Sequence, residues 1–253
     1  MKEIQSSKNQ LIKDRKKLHK RKYREQEQRY LLEGFHLVEE AVNYGATVEE
    51  IFLDERGQRE WGAWAEQLAV ECYFVSAEVM KQLSDLPTPQ GMIAVVTLAS
   101  QEVAIQGGRW LLLDNVQDPG NVGTMIRTAD AAGFTGVVLG EGTADMYSTK
   151  VLRSMQGSQF HLPIFSADLH EIILKIKENG MKVYGTELNK DAVSYTEAEK
   201  NQVAFILGNE GQGVSKELLA MTDQNLYIPI YGQAESLNVG VAAGILMYHC
   251  TTV

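Results

Sequence analysis

Two short apolar runs, VAFIL at 203–207 and LYIPI at 226–230, each pass through a glycine-bearing polar loop into a helical pattern. A short apolar strand that turns straight into a helix belongs in an open, mostly parallel sheet covered by helices on both faces. No other feature of the chain constrains its fold as tightly. The loops are GNEGQGVS, Gly208 to Ser215, and IPIYGQAESLNVG, Ile228 to Gly240. Two such turns set backbone amides and polar side chains along one edge of the sheet, where open α/β sheets take their ligands. That edge is the expected site.

The alternation extends back along the chain. WLLLDNV (110–116) suits a buried parallel strand, TMIRTADAAG a helix closed by Gly133, and GVVLG (136–140) a further strand. A helical patch from Ser148 to Met155, HLPIF (161–165), a helix from Leu169 to Asn179 and MKVYGT (181–186) continue the series. Before it stands a smaller α/β/α unit. YLLEGFHLVEEAVNYG (30–45) reads as strand, Glu33-Gly34 turn and helix, and VEEIFLD (48–54), CYFVS (72–76) and GMIAVVTLA (91–99) read as strands. Helices are expected at Trp61 to Val70 and Glu78 to Leu83, and the polar stretch from Ser100 to Gly108 reads as a linker. The expected domains are therefore 1–99 and 107–253.

Charge and composition narrow the function classes. With 253 residues and 44% apolar content the chain can build two modest cores. No run approaches the ~18 apolar residues of a membrane span, so no membrane partner and a cytoplasmic location are expected. Cys72 and Cys250 lie far apart and the five histidines lack ligand spacing, so no metal is expected. The net charge of −9 hides an asymmetry: residues 1–24 hold ten Lys and Arg against Glu3 and Asp14, a net of +8. Clustered cations gain affinity for nucleic acid by releasing its counterions. The same segment also reads as one amphipathic helix with Ile4, Leu11 and Leu18 seven residues apart, and both readings stand.

Three loops carry the chemistry. In DNVQDPGNVGTMIRTAD, Asn121 stands at the start of a helix, where capping alone would explain it, and Arg127 follows six residues on. Arg127 lies among Met125, Ile126, Ala129, Ala131 and Ala132, where a charge needs a partner or a task; Glu210 is the available partner. Gly208, Gly211 and Gly213 are spaced G-x-x-G-x-G, which is neither the dinucleotide fingerprint nor a phosphate-binding loop. They suit a ligand approached by bare backbone. Ser236 and Asn238 flank Leu237 before a helix rich in small residues, where capping and close packing are the plainer explanation.

Together DPGNVGTMIRTADAAG, FILGNEGQGVSKELL and IPIYGQAESLNVGVAAGILMY resemble motifs one, two and three of the SpoU (TrmH) family. These are RNA 2′-O-ribose methyltransferases of the SPOUT class. The resemblance covers about residues 107–253; the preceding unit more weakly resembles the L30e-like substrate-binding domain that many members carry. It implies an α/β fold whose C-terminal, mostly parallel sheet ends in a trefoil knot, S-adenosyl-L-methionine bound in that knot, and a homodimer. Periodicity does not reveal such a knot, since chains in general are unthreaded. The resemblance assigns cofactor binding to Gly208, Ile228 and Leu237, and the catalytic side to Asn121, Arg127, Glu210, Ser236 and Asn238. RSMQGSQFHLPI, Arg153 to Ile164, is similar to the family's R-x-S-x-G-S region. A guanidinium stays protonated, so Arg127 is expected to orient the ribose or its phosphate and to stabilise developing negative charge, held by Glu210. The expected substrate is structured RNA, ribosomal before transfer RNA. A base methyltransferase and a non-catalytic RNA-binding protein of the same fold are the rival readings.

Overall fold

The computed structural model of the chain describes residues 1–99, 104–187 and 190–251, so the first part of the expected linker, 100–103, lies outside the described residues. The chain divides into two compact units. One comprises Met1–Ser100 with Tyr147–Phe160, the other Gln101–Met146 with His161–Val253.

The first unit opens with β1 (Lys2–Ile4), α1 (Gln10–Lys17) and α2 (Arg21–Glu27), where a single amphipathic helix was one expectation. The reason for the difference is local. Asn9 caps α1 by accepting from the Leu11 amide at 2.9 Å, and α2 stops at Gln28, whose φ is 54°. Ile4 pairs with Val75 in a sheet, while Ile12 and Leu18 are buried and Leu11 only partly so. The spacing of seven is met here by a strand, a helix and that helix's C-terminal cap, since Leu18 closes α1. Much of the basic charge is also structural. Arg15 grips Glu50 with two bonds of 2.6 and 2.7 Å, and buried Arg24 donates to the carbonyls of Leu18 and His19.

β2 (Arg29–Glu33), α3 (Phe35–Asn43), β3 (Val48–Leu53), α4 (Glu55–Gln67), β4 (Glu71–Val75), α5 (Ala77–Leu83) and β5 (Met92–Thr97) complete this part of the unit. The strand order is β1-β4-β3-β5-β2, with β5 antiparallel to both of its neighbours. Helix α4 starts at Glu55 and not near Trp61, because Asp54 caps it by accepting from the Gly57 amide at 2.9 Å. Phe52, Ile93, Val95, Met80 and Leu83 close the core with Ile12 and Leu18.

The second unit is built on β6 (Arg109–Leu113), followed by α6 (Pro119–Ala131) and β7 (Gly136–Leu139). The chain then contributes α7 (Thr149–Met155) to the first unit, where it packs on β2 and Tyr147 lies 4.8 Å from Tyr30 between ring centroids. It returns with β8 (Ile164–Ser166), α8 (Leu169–Glu178), β9 (Lys182–Thr186), β10 (Val193–Ser194), β11 (Val203–Leu207), α9 (Lys216–Leu219), β12 (Gln224–Tyr227) and α10 (Val239–His249). The order β10-β12-β9-β11-β6-β7-β8 has every described pairing parallel. β6 and β11 are buried along nearly their whole length, which is why both read as unbroken apolar runs. β12 stops before Pro229, which has no N–H for the ladder. Leu169, Ile172, Ile173 and Ile176 of α8 pack onto Trp110, Leu112 and Ile206.

Candidate active site

Beyond β11 the chain reverses within six residues. Asn209 and Gly213 exchange two backbone hydrogen bonds, of 3.0 and 2.9 Å, and Asn209 Oδ1 accepts from the amides of Gly211 and Gln212. Gly208 is buried where this loop folds back on itself: a Cβ there would stand 2.1 Å from Val214 N and from the carbonyl carbon of Gly213. Only glycine fits. The loop is pinned to the end of β6 by Asn209 Nδ2, which donates to the Asn115 carbonyl at 2.9 Å, and by Asp114, which accepts from the Ser215 amide at 2.7 Å.

Glu210 projects from this loop onto the start of α6. Its carboxylate accepts from the amides of Gln117 and Asp118, at 3.1 and 3.0 Å, and from Asn121 Nδ2 at 3.0 Å. Burial pushes its pKa up, but the hydrogen bonds from Asn121, its own backbone, Asp118 and Gln117 outweigh this and hold it below the usual carboxylate range. Asn121 Oδ1 in turn accepts from Asn238 Nδ2 at 3.0 Å, and Asn238 Oδ1 caps α10 through the amides of Gly240 and Val241. The chain Glu210–Asn121–Asn238 thus staples all three loops together. Three of the five residues expected on the catalytic side are bonded into one network.

The structure corrects two local expectations. Asp118, not Asn121, caps α6, accepting from the Asn121 amide at 2.9 Å, with Pro119 as the first helical residue. The Asp-Pro pair was the signal for this start. Arg127 is exposed, makes no hydrogen bond or ion pair among the described residues, and is not held by Glu210. Six residues of helix rotate the side-chain direction by about 600°, leaving Arg127 roughly 120° away from Asn121 and ~9 Å further along. Glu210 is already engaged at the start of α6. Ser236 is exposed and also makes no hydrogen bond among the described residues.

The two loops enclose an open cavity of about 1010 Å³, at the upper end of the range of ligand sites. Gly208, Ile228, Leu237, Glu210, Ser236 and Asn238 line it; Asn121 and Arg127 do not. Leu226, Ala242 and Leu246 add apolar surface. The lining holds three carboxylates, Glu187, Glu210 and Glu235, and among the described residues neither Lys nor Arg. Such a site suits a partly apolar cation and repels a polyphosphate. S-adenosyl-L-methionine, a sulfonium with an adenine ring, fits that chemistry. Sequence reasoning missed Asn209 and the amides of Gln117 and Asp118, whose task is visible only once the loops meet.

The residues from 108 to 248 match the profile of the SpoU rRNA Methylase family, and 9–94 that of the MRM3-like substrate binding domain. The chain belongs to the SpoU rRNA methylase family. A SpoU relative in Bacillus subtilis, the 23S rRNA (guanosine(2553)-2′-O)-methyltransferase RlmP, is 47% identical, with 98% of this chain and 99% of that protein covered. The crystal structure of an AdoMet-bound rRNA methyltransferase from Sinorhizobium meliloti superposes with a TM-score of 0.87 at 29% identity, covering 98% of this chain and 97% of that one. The SpoU methyltransferase AviRb from Streptomyces viridochromogenes, in complex with AdoMet, gives a TM-score of 0.85 at 26% identity, covering 96% and 97%. The α/β architecture with its mostly parallel sheet is that of SPOUT methyltransferases. No described helix is long and apolar enough to cross a membrane.

Proposed function

We propose that the protein transfers a methyl group from S-adenosyl-L-methionine to the ribose 2′-hydroxyl of a guanosine in 23S ribosomal RNA, in the cytoplasm. The observation that carries this reading is the cavity: bare backbone at Gly208, three carboxylates, no cation among the described lining residues, and walls fixed by the Glu210–Asn121–Asn238 staple. The 47% identity with RlmP, sustained along both chains, supports the substrate. The first unit, matching a substrate-binding domain, docks the RNA, and the second performs the transfer.

When bound, the cofactor supplies an electrophilic methyl group on a positively charged sulfur. The chain's own residues bind, align and stabilise. Gly208 and Ile228 would offer backbone to the cofactor and Leu237 apolar surface, while Asn238 and Asn121 hold the loops that line the cavity at fixed spacing. Glu210, with its oxygens engaged and its pKa lowered, is a structural anion and a poor base. Arg127 carries its guanidinium to solvent, so it meets the RNA, orienting the ribose or phosphate and stabilising charge on the attacking oxygen. Ser236 completes the polar rim. The knotted path and the homodimer belong to the same reading. α10 carries no charged residue before His249 and leaves Val241 and Tyr248, two turns apart on one face, 53% and 49% exposed; a helix apolar all round requires cover. A second copy of the chain supplies it.

The deciding substrate is a 23S fragment with a single 2′-deoxy nucleotide at the position that the protein methylates, located first by mapping 2′-O-methyl sites in 23S RNA with and without the protein. It should bind like the unmodified RNA, since phosphates and shape supply most of the affinity, and accept no methyl group. Label on that RNA would move the reaction to a base.

A further inference from the structure

The first unit holds a polar cavity of about 390 Å³ that the methyl-transfer site does not use. One wall is α7, contributing Thr149, Lys150, Arg153 and Ser154; the other is the stretch beyond α5, with Asp85. Lys150 and Arg153 are exposed and three residues apart, so their charges lie on one helix face.

The Asp85 wall is rigid. Ser84 Oγ donates to both oxygens of Glu33 at 2.8 Å and accepts from the Leu86 amide at 3.0 Å, and the Gln90 amide donates to Glu33 at 3.0 Å. Glu33 is 9% exposed; burial raises its pKa, and the bonds from Ser84 and Gln90 and the charges of His19 and Arg153 oppose that rise. One buried carboxylate therefore fixes the loop from below and attracts Arg153 from the facing helix. The wall that carries Asp85 is preorganised around it.

The composition of the cavity is selective. Two cations and two hydroxyl-bearing residues line a space within the range of single-ligand pockets, and cations with hydroxyl donors are the chemistry that holds a phosphate. Asp85 would repel a second phosphate, yet an ionised carboxylate is an acceptor for a sugar hydroxyl. RNA satisfies both demands with one ribose–phosphate unit; DNA lacks the hydroxyl. We propose that this cavity binds one ribose–phosphate unit of the RNA substrate, with Lys150 and Arg153 on the phosphate and Asp85 accepting from the 2′-hydroxyl. It sets the register of the RNA on the protein, away from the methylated nucleotide. The inference rests on the RNA-methyltransferase reading and adds to it an anchoring point outside the reacting site.

The test uses the full chain, a 23S fragment bearing the mapped nucleotide, and the all-DNA analogue of that fragment. For Lys150→Gln with Arg153→Gln, the slope of log affinity against log salt should become shallower by roughly 0.7 for each phosphate the variant no longer neutralises. KM for RNA should rise at least about tenfold, the scale of one or two charge-assisted hydrogen bonds, with kcat and cofactor affinity unchanged. Arg153→Lys should restore most of the slope. Asp85→Ala should narrow the preference for RNA over DNA. If the Arg153 variants lose stability, Lys150→Glu, at an exposed position, must by itself weaken RNA binding. A wild-type slope and KM in these variants would overturn the proposal while leaving the methyltransferase reading in place. Failure of the unaltered protein to methylate the fragment would instead strike that reading.

Discussion

Gly208 stands where the chain has no room for a side-chain carbon, because the nearest atoms to a Cβ are backbone and cannot rotate away. Gly208→Ala should therefore separate the two halves of the loop and weaken S-adenosylmethionine binding at least tenfold by calorimetry, a cost of about 1.4 kcal/mol or more. Arg127→Ala should behave in the opposite way. The side chain is solvent-facing and unpaired among the described residues, so thermal stability and cofactor affinity should hold while kcat falls by about two orders of magnitude, the scale of removing one charge-stabilising group. Glu210 adds a pH signature. Folding lowers its pKa, so its stabilising effect is present above the unfolded value of 4.5 and is lost as pH falls through the folded value. Melting scans of the wild type and Glu210→Gln should differ at neutral pH and converge in acid. A constant difference across the range would mean that the carboxylate's charge is not what the loop amides bind.

At the scale of elements, α10 makes the sharpest prediction. Val241→Glu places a charge on its exposed apolar face without touching the cavity, and should convert dimer to monomer in light scattering. A dimer that survives would move the interface elsewhere. The strands at 110–113 and 203–207 were readable because burial on both faces leaves an unbroken apolar run. The N-terminal segment was not, since Ile4, Leu11 and Leu18 satisfy a seven-residue spacing equally well on one helix or on a strand, a short helix and that helix's C-terminal cap. The start of α6 was legible in Asp118 and Pro119 but was outweighed by the asparagine that follows. The exposure of Arg127 was implicit in helical rotation, whereas its apolar neighbours in sequence face the core and conceal it. The uniform negative charge of the cavity could not be read at all. Glu187 and Glu235 are far apart in the chain and come to line one cavity only through the sheet.

For the whole molecule, the grouping of α7 with the first unit changes what cleavage should do. A cut within 100–108 severs the chain between the two sheets, but the C-terminal piece still carries Val151, Leu152 and Met155, all buried. The two pieces should stay together on gel filtration after limited proteolysis and separate only in denaturant. Pieces that part under native conditions would show that α7 does not hold them. The pairing of β6 with β11, Arg109 opposite Val203 and Leu113 opposite Leu207, reaches further still. During synthesis at about 5–20 residues per second, β6 leaves the ribosome roughly 5–20 s before its partner exists. For that interval a buried apolar strand has one edge open, and the two loops that form the cavity are unmade. A newborn copy of this enzyme passes through that state before it can be competent, and until β11 arrives the open edge is a template on which a neighbouring chain can pair.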